Sequence, residues 1–160
     1  MNAAIITISD GCYYQKRKDT SGQALAQLLI DNEWTINPTK IVPDEIQEIQ
    51  NQIIGLSEND DIDLIVTTGG TGLGPRDITP EAIKPLLEKE VLGLAELMRL
   101  RGFEQTDFAA LSRSLAGSRQ KTLILALPGS PKGAIESLQA ILKLIPHAID
   151  LLQGRTQHNK

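Results

Sequence analysis

The chain has 160 residues, 41% of them hydrophobic and 22% charged, with a formal net charge of −4. That apolar content excludes a disordered chain, and a domain of this length is expected to bury roughly 70% of its unfolded surface without a disulfide or metal staple. An acidic balance with only 3% aromatic residues excludes a general nucleic-acid surface, which needs excess cations and, for single strands, stacking rings.

Ala3-Ala4-Ile5-Ile6-Thr7-Ile8 is short and β-branched and predicts a buried first strand. A polar loop follows over residues 9–19. Its Lys16-Arg17-Lys18 cluster reads as a solvated basic turn. Thr20 and Gln23 have the spacing of a capping box, opening a helix with Leu25, Leu28 and Leu29 on its apolar stripe. Residues 34–42 predict a second strand, irregular or at an edge because Pro38 has no N–H to give. Ile46, Ile49, Ile53 and Leu56 mark an amphipathic helix, and residues 62–66 a third strand. A glycine-rich stretch then precedes Thr79-Pro80-Glu81, which looks like a helix start with Thr79 as N-cap and Pro80 in the first position. Helical pattern runs to about Gly102, with a break near Gly93. Residues 109–113 and 122–127 predict an antiparallel strand pair around a turn at Ala116-Gly117-Ser118, and a helix follows from about Ala134 with Pro146 kinking or restarting it. Residues 1–153 are expected to form one domain and residues 154–160 a polar tail.

Strands alternating with helices argue for an α/β fold with a largely parallel sheet. Such sheets bind ligands beyond the carboxyl ends of their strands. Ser9-Asp10, Pro43-Asp44-Glu45, residues 69–77 and residues 128–132 all follow strands, so they should meet at one edge. Gly69-Gly70-Thr71-Gly72 can turn its N–H groups into a concave anion site, with the Thr71 hydroxyl as a further donor. It is neither a P-loop nor a dinucleotide fingerprint, because the spacing differs and no Gly-Lys-Ser/Thr follows. Asp44 and Asp77 each have a local role available at a helix start. Together they make a carboxylate pair able to hold Mg²⁺ against phosphate oxygens. Ser9, Asp10, Ser112, Gly129, Ser130 and Lys132 are candidate polar contacts, with capping as the local alternative for Ser9 and Ser130. Arg113 is a candidate clamp or a surface ion pair. The lone Cys12 cannot form an intrachain disulfide and fits a reducing, cytoplasmic setting. His147 and His158 lack ligand-like spacing with it, so zinc chemistry is not expected. The longest apolar run, residues 123–127, is too short to span a membrane, and no basic region after Met1 suggests a secretion signal.

Thr67-Thr68-Gly69-Gly70-Thr71-Gly72-Leu73-Gly74-Pro75-Arg76-Asp77-Ile78-Thr79-Pro80-Glu81-Ala82 resembles the signature of the molybdenum-cofactor biosynthesis domain. Ile8-Ser9-Asp10, Asp19-Thr20-Ser21-Gly22, Val42-Pro43-Asp44-Glu45, Leu111-Ser112-Arg113, Ala116-Gly117 and Leu127-Pro128-Gly129-Ser130-Pro131-Lys132 match in the same order, from residue 5 to about residue 152. The resemblance implies a three-layer α/β/α sandwich with one antiparallel strand, usually trimeric. It implies a molybdopterin adenylyltransferase, taking molybdopterin and Mg-ATP to adenylylated molybdopterin and pyrophosphate, with hand-off to a molybdenum insertase. The family's two essential acids map onto Asp44 and Asp77, and its substrate loops onto Gly69 to Gly72 and the Ser130 region. Silent paralogues depart at the acidic positions, which match the active pattern here. A non-catalytic molybdopterin carrier of the same fold is the alternative, and relatives that cleave dinucleotide pyrophosphates are usually longer.

Overall fold

Alternation along the first strand sets the layering. In β1 (Asn2–Ile8), Ala3 and Ile5 enter one apolar cluster while Ala4, Ile6 and Ile8 enter another. β3 (Leu64–Thr68) and β6 (Thr122–Leu127) divide in the same way, with Leu64, Val66, Leu123, Leu125 and Leu127 on the first side and Ile65, Ile124 and Ala126 on the second. Strands buried on both faces need helices on both faces. The computed structural model, which describes residues 1–155, shows them. α2 (Ser21–Ile30), α5 (Leu92–Phe103), α6 (Pro131–Ile141) and α7 (Ile145–Leu152) cover one face; α3 (Ile46–Ser57) and α4 (Thr79–Ile83) cover the other. α1 (Asp10–Tyr13) is a single turn after β1. Each fully buried Leu or Ile of these layers contributes about 1.5–3 kcal/mol.

The sheet has six strands in the order β2-β1-β3-β6-β5-β4, with β2 (Thr35–Val42), β5 (Leu115–Arg119) and β4 (Lys89–Glu90) completing it. β1, β2, β3 and β6 are parallel, and β5 runs against both its neighbours. This is the expected three-layer α/β/α sandwich. β2 lies at the edge, and its pairing with β1 shifts register between Ala3 and Ile5, opposite the Asn37–Pro38 step. That is the irregular edge strand Pro38 required.

Several local expectations fail, each for a physical reason. Residues 109–113 are no strand: residues Asp107–Leu111 form a 3₁₀ turn. The strand starts at Leu115, so Ala116-Gly117-Ser118 lies inside β5 and the turn falls at Gln120-Lys121. Gly117 reads as a turn residue from sequence, yet it is needed because an added Cβ would lie 2.6 Å from the Lys89 carbonyl and 2.5 Å from Leu87. The helical pattern after Thr79 breaks at residues 84–91, where a 3₁₀ turn and β4 intervene, rather than near Gly93. Thr20 makes no side-chain cap, since it already has helical angles; Asp19 Oδ1 accepts from Gly22 N–H at 2.9 Å instead. Thr79 is not an N-cap either: Ile78 holds that position, and Thr79 is the first helical residue, with its hydroxyl donating to the glycine loop. α6 begins at Pro131, three residues earlier than expected, and α7 restarts the chain with Pro146 in its first turn. His158 and most of the tail at 154–160 lie outside the described residues.

Pairing fixes where the strands end. Ile8 pairs with Val42, Thr7 with Thr68, and Thr68 with Leu127. The loops that follow therefore emerge side by side. β5 runs the other way, with Leu115 opposite Ala126, so the residues before it reach the same edge.

Candidate active site

At this carboxyl edge lies a cleft of about 860 Å³, lined by Ser9, Asp44, Gly69, Gly70, Thr71, Gly72, Asp77, Ser112, Gly129 and Ser130 among others. Two sequence candidates stand apart. Lys132 is exposed beside Glu136, 3.8 Å away, and is not on the wall. Asp10 sits behind Asp44 rather than on the lining.

The glycine loop is held from outside. The Thr79 hydroxyl donates to the Gly69 carbonyl at 2.8 Å and the Thr79 N–H to the Gly70 carbonyl at 3.0 Å. The Arg113 N–H donates to the Thr71 carbonyl at 2.9 Å, and Arg113 Nε to the Gly72 carbonyl at 2.8 Å. All the loop carbonyls from 69 to 72 are thus taken. Gly69 and Gly70 have φ of 108° and 63°, a region other residues enter only with strain. A Cβ on Gly69 would also lie 2.2 Å from the Ile8 carbonyl. Arg113 is more than a surface ion pair. It staples the loop, and its guanidinium also reaches the Asp77 carbonyl and the Glu81 carboxylate.

The acids flank this loop. A Cβ on Gly70 would come 3.3 Å from Asp44 Oδ1, and one on Gly72 would come 2.7 Å from Asp77 Oδ2. Asp44 and Asp10 bond reciprocally: Asp10 N–H donates to Asp44 Oδ2 at 2.8 Å, and Asp44 N–H donates to Asp10 Oδ1 at 3.0 Å. Asp77 Oδ2 accepts from Gly74 N–H at 2.8 Å. Each acid commits Oδ2 to a loop N–H, and Oδ1 has no protein donor among the described residues. Arg76 bridges Asp10 and Glu45, at 3.0 and 2.8 Å. Burial lifts the Asp44 carboxyl above its ordinary range; the Asp10 N–H opposes this, the Asp10 charge adds to it, Arg76 opposes it, and the Asp77 charge adds to it. Asp77 is therefore close enough to act electrostatically on Asp44.

This donor set suits Mg²⁺ shared with a substrate better than a metal cage. No group of three His, Cys, Asp or Glu side chains is placed to hold an ion among the described residues. Mg²⁺ commonly takes one or two carboxylates and completes its shell with water and phosphate. Two hard oxygens beside an anion cradle meet that description.

Ser9 and Ser130 do cap helices. Ser9 Oγ accepts from Cys12 N–H at 3.3 Å, and Ser130 Oγ from Gly133 N–H at 3.2 Å. Both also line the cleft. Met98 is core, while Phe103 and Phe108 are exposed. Sequence reasoning missed Arg17 and Lys18, which line the cleft, and Asp19, which accepts from the Thr7 hydroxyl at 2.7 Å while capping α2. Position immediately after the first strand's loop was the available signal.

Comparison with known proteins gives the fold and site a family. Residues 4–147 match the model of a family described as "Probable molybdopterin binding domain". The chain is 39% identical over 158 residues to a Helicobacter pylori protein named molybdopterin adenylyltransferase, covering 96% of this chain and 89% of that protein. It is 46% identical over 151 residues to the Drosophila melanogaster molybdenum cofactor synthesis protein cinnamon, covering 92% of this chain but only 25% of that larger protein. Among solved structures, the molybdopterin biosynthesis enzyme MoaB from Thermus thermophilus superposes with a TM-score of 0.90 at 48% identity, covering 96% of each chain. The chain belongs to the molybdopterin-binding domain family of molybdenum-cofactor biosynthesis proteins.

Proposed function

We propose that this chain is a molybdopterin adenylyltransferase, moving AMP from ATP to the phosphate of molybdopterin with release of pyrophosphate. One observation carries the proposal: two carboxylates flank a glycine loop whose carbonyls are all fastened away from the cleft. The attacking group is a phosphate oxygen, already anionic, so no strong base is required. Its new bond to the α-phosphorus replaces the bond to the bridging oxygen, and pyrophosphate leaves with that electron pair. The N–H groups of Gly70 to Gly72 orient a phosphate, the Gly69 N–H being taken by the Leu127 carbonyl, and because the loop carbonyls are fixed they need not reorganise. Ser9, Ser112 and Ser130 offer hydroxyls along the same wall. Asp44 and Asp77 would hold Mg²⁺, whose chemistry when bound is to neutralise charge on the triphosphate and the leaving group. The arm from Arg76 to Asp10 and Glu45 keeps the Asp44 loop in place.

The same proposal includes a homotrimer, for which exposed Leu92, Leu97, Leu100 and Phe103 on α5 supply apolar surface, and hand-off of product to a molybdenum insertase. Leu94 and Met98, from the same helix, are already buried in the chain's own core. Pyrophosphate release from molybdopterin and ATP tests the reaction. Asp77→Asn preserves an acceptor for Gly74 N–H, so it should fold normally and lose at least about 100-fold in turnover. Wild-type turnover in that variant refutes the role. Tight molybdopterin binding without any pyrophosphate release by the unmodified chain would favour the carrier alternative.

A further inference from the structure

The cleft straddles the sheet, with Asp44, Asp77 and Arg76 on one side and Arg17, Lys18, Asp19 and Glu136 on the other. Asp44 precedes α3 and Asp77 precedes α4, so both acids belong to the face those helices cover. Thr7 lies on the opposite face by alternation, and it bonds Asp19 at the start of α2. Arg17 stands two residues before Asp19. Its Nη2 donates to Ser9 Oγ at 2.9 Å. Its stem lies against Gly11, where an added Cβ would meet Arg17 Nε at 2.7 Å and Cγ and Cδ at 3.2 Å. The side chain is thus positioned from two directions. It lines the cleft, and it makes no ion pair among the described residues. A guanidinium fixed at a cleft wall without a carboxylate partner presents unused donors in a planar fork, which matches phosphate oxygens.

Resting on the adenylyl-transfer proposal, we infer that Arg17 binds the phosphate monoester of the pterin substrate. The triphosphate with its cation belongs beside the acids, which leaves the acceptor phosphate for the α2 side. The glycine loop and Gly129, whose added Cβ would lie 3.2 Å from Gly69 Cα, stand between the two sides, where both phosphates can meet. Gly11 is needed in this scheme because any side chain there would displace the Arg17 arm.

Calorimetric titration of the full chain with molybdopterin, and separately with Mg²⁺ and a non-hydrolysable ATP analogue, gives two Kd values. Arg17→Ala should raise the molybdopterin Kd about tenfold or more and change the nucleotide Kd by less than about twofold. Lys121→Ala removes one charge beside Asp60 at the opposite edge of the sheet and should leave both values unchanged. Equal weakening of both ligands, weakening of the nucleotide alone, or no effect of Arg17→Ala would overturn the inference. In the unmodified chain, millimolar inorganic phosphate should shift the Arg17 Nε–H resonance and the Ser9 amide; unshifted signals would overturn it as well. Pyrophosphate release is read separately. A chain that binds molybdopterin through Arg17 but releases none loses the transfer proposal and keeps this one.

Discussion

Thr79→Val isolates the fastening of the glycine loop. Thr79 is fully buried, and its hydroxyl donates to the Gly69 carbonyl at 2.8 Å. Valine has nearly the same shape, so the change leaves no cavity and removes one donor. A buried acceptor left without that donor costs about 1–3 kcal/mol. The incoming methyl would face the carbonyl at a spacing suited to a hydrogen bond and too short for carbon against oxygen, which favours the upper half of that range. With 160 residues, the unfolding entropy is about 0.34 kcal/mol/K, so Tm should drop by about 6–9 °C. Thermal unfolding by circular dichroism measures this. Amide exchange at residues 69–72 should rise more than exchange in β1, because the fault is local. A Tm within 1 °C of the parent would refute the view that this hydroxyl anchors the loop.

The acids and the cap give further predictions. Asp44→Asn should raise Tm near neutral pH by about 1–3 °C while abolishing turnover. Burial lifts the Asp44 carboxyl above its ordinary 3.8, so the folded chain holds that proton more tightly than the unfolded chain does. Stability contributed by this group therefore falls as pH rises through the window above 3.8, and the advantage of the Asn variant should fade as pH drops below it. A variant less stable than the parent at pH 7 contradicts that sign. Gly22→Ala places a Cβ 2.3 Å from both Asp19 Oδ2 and Thr7 Oγ1, and should cost about 1–3 kcal/mol in denaturant unfolding. Gly55→Ala, in α3 with nothing within 4 Å, should instead stabilise by about 0.5–1 kcal/mol, and a loss there would count against the packing account.

The layers were legible because burial is written into periodicity. Residues 3–8 could only be a strand covered on both sides, and Pro38 marked the edge. The convergence of Asp44, Gly69 and Ser130 followed from reading strand ends, since parallel strands release their loops on one side. Pairwise competition was not legible. Thr79 looks like a cap until it falls inside the helix with its hydroxyl donating to the Gly69 carbonyl, and Thr20 looks like one until Asp19 accepts from the Gly22 N–H in its place. Arg113 could not be read as a staple, because its partners at Gly72, Asp77 and Glu81 come from another part of the chain. The 3₁₀ turn at Asp107–Leu111 was mistaken for a strand because Ala-Ala-Leu carries no period of its own.

The Arg113 staple ties two decisions together. Its donors hold the Thr71 and Gly72 carbonyls and also the Asp77 carbonyl, so the anion cradle and one acid share a single mount. A phosphate held by main chain, as proposed above, would leave the surrounding side chains free to change with the cargo. A change of cargo would then alter only the walls and leave the mount as an unaltered chassis.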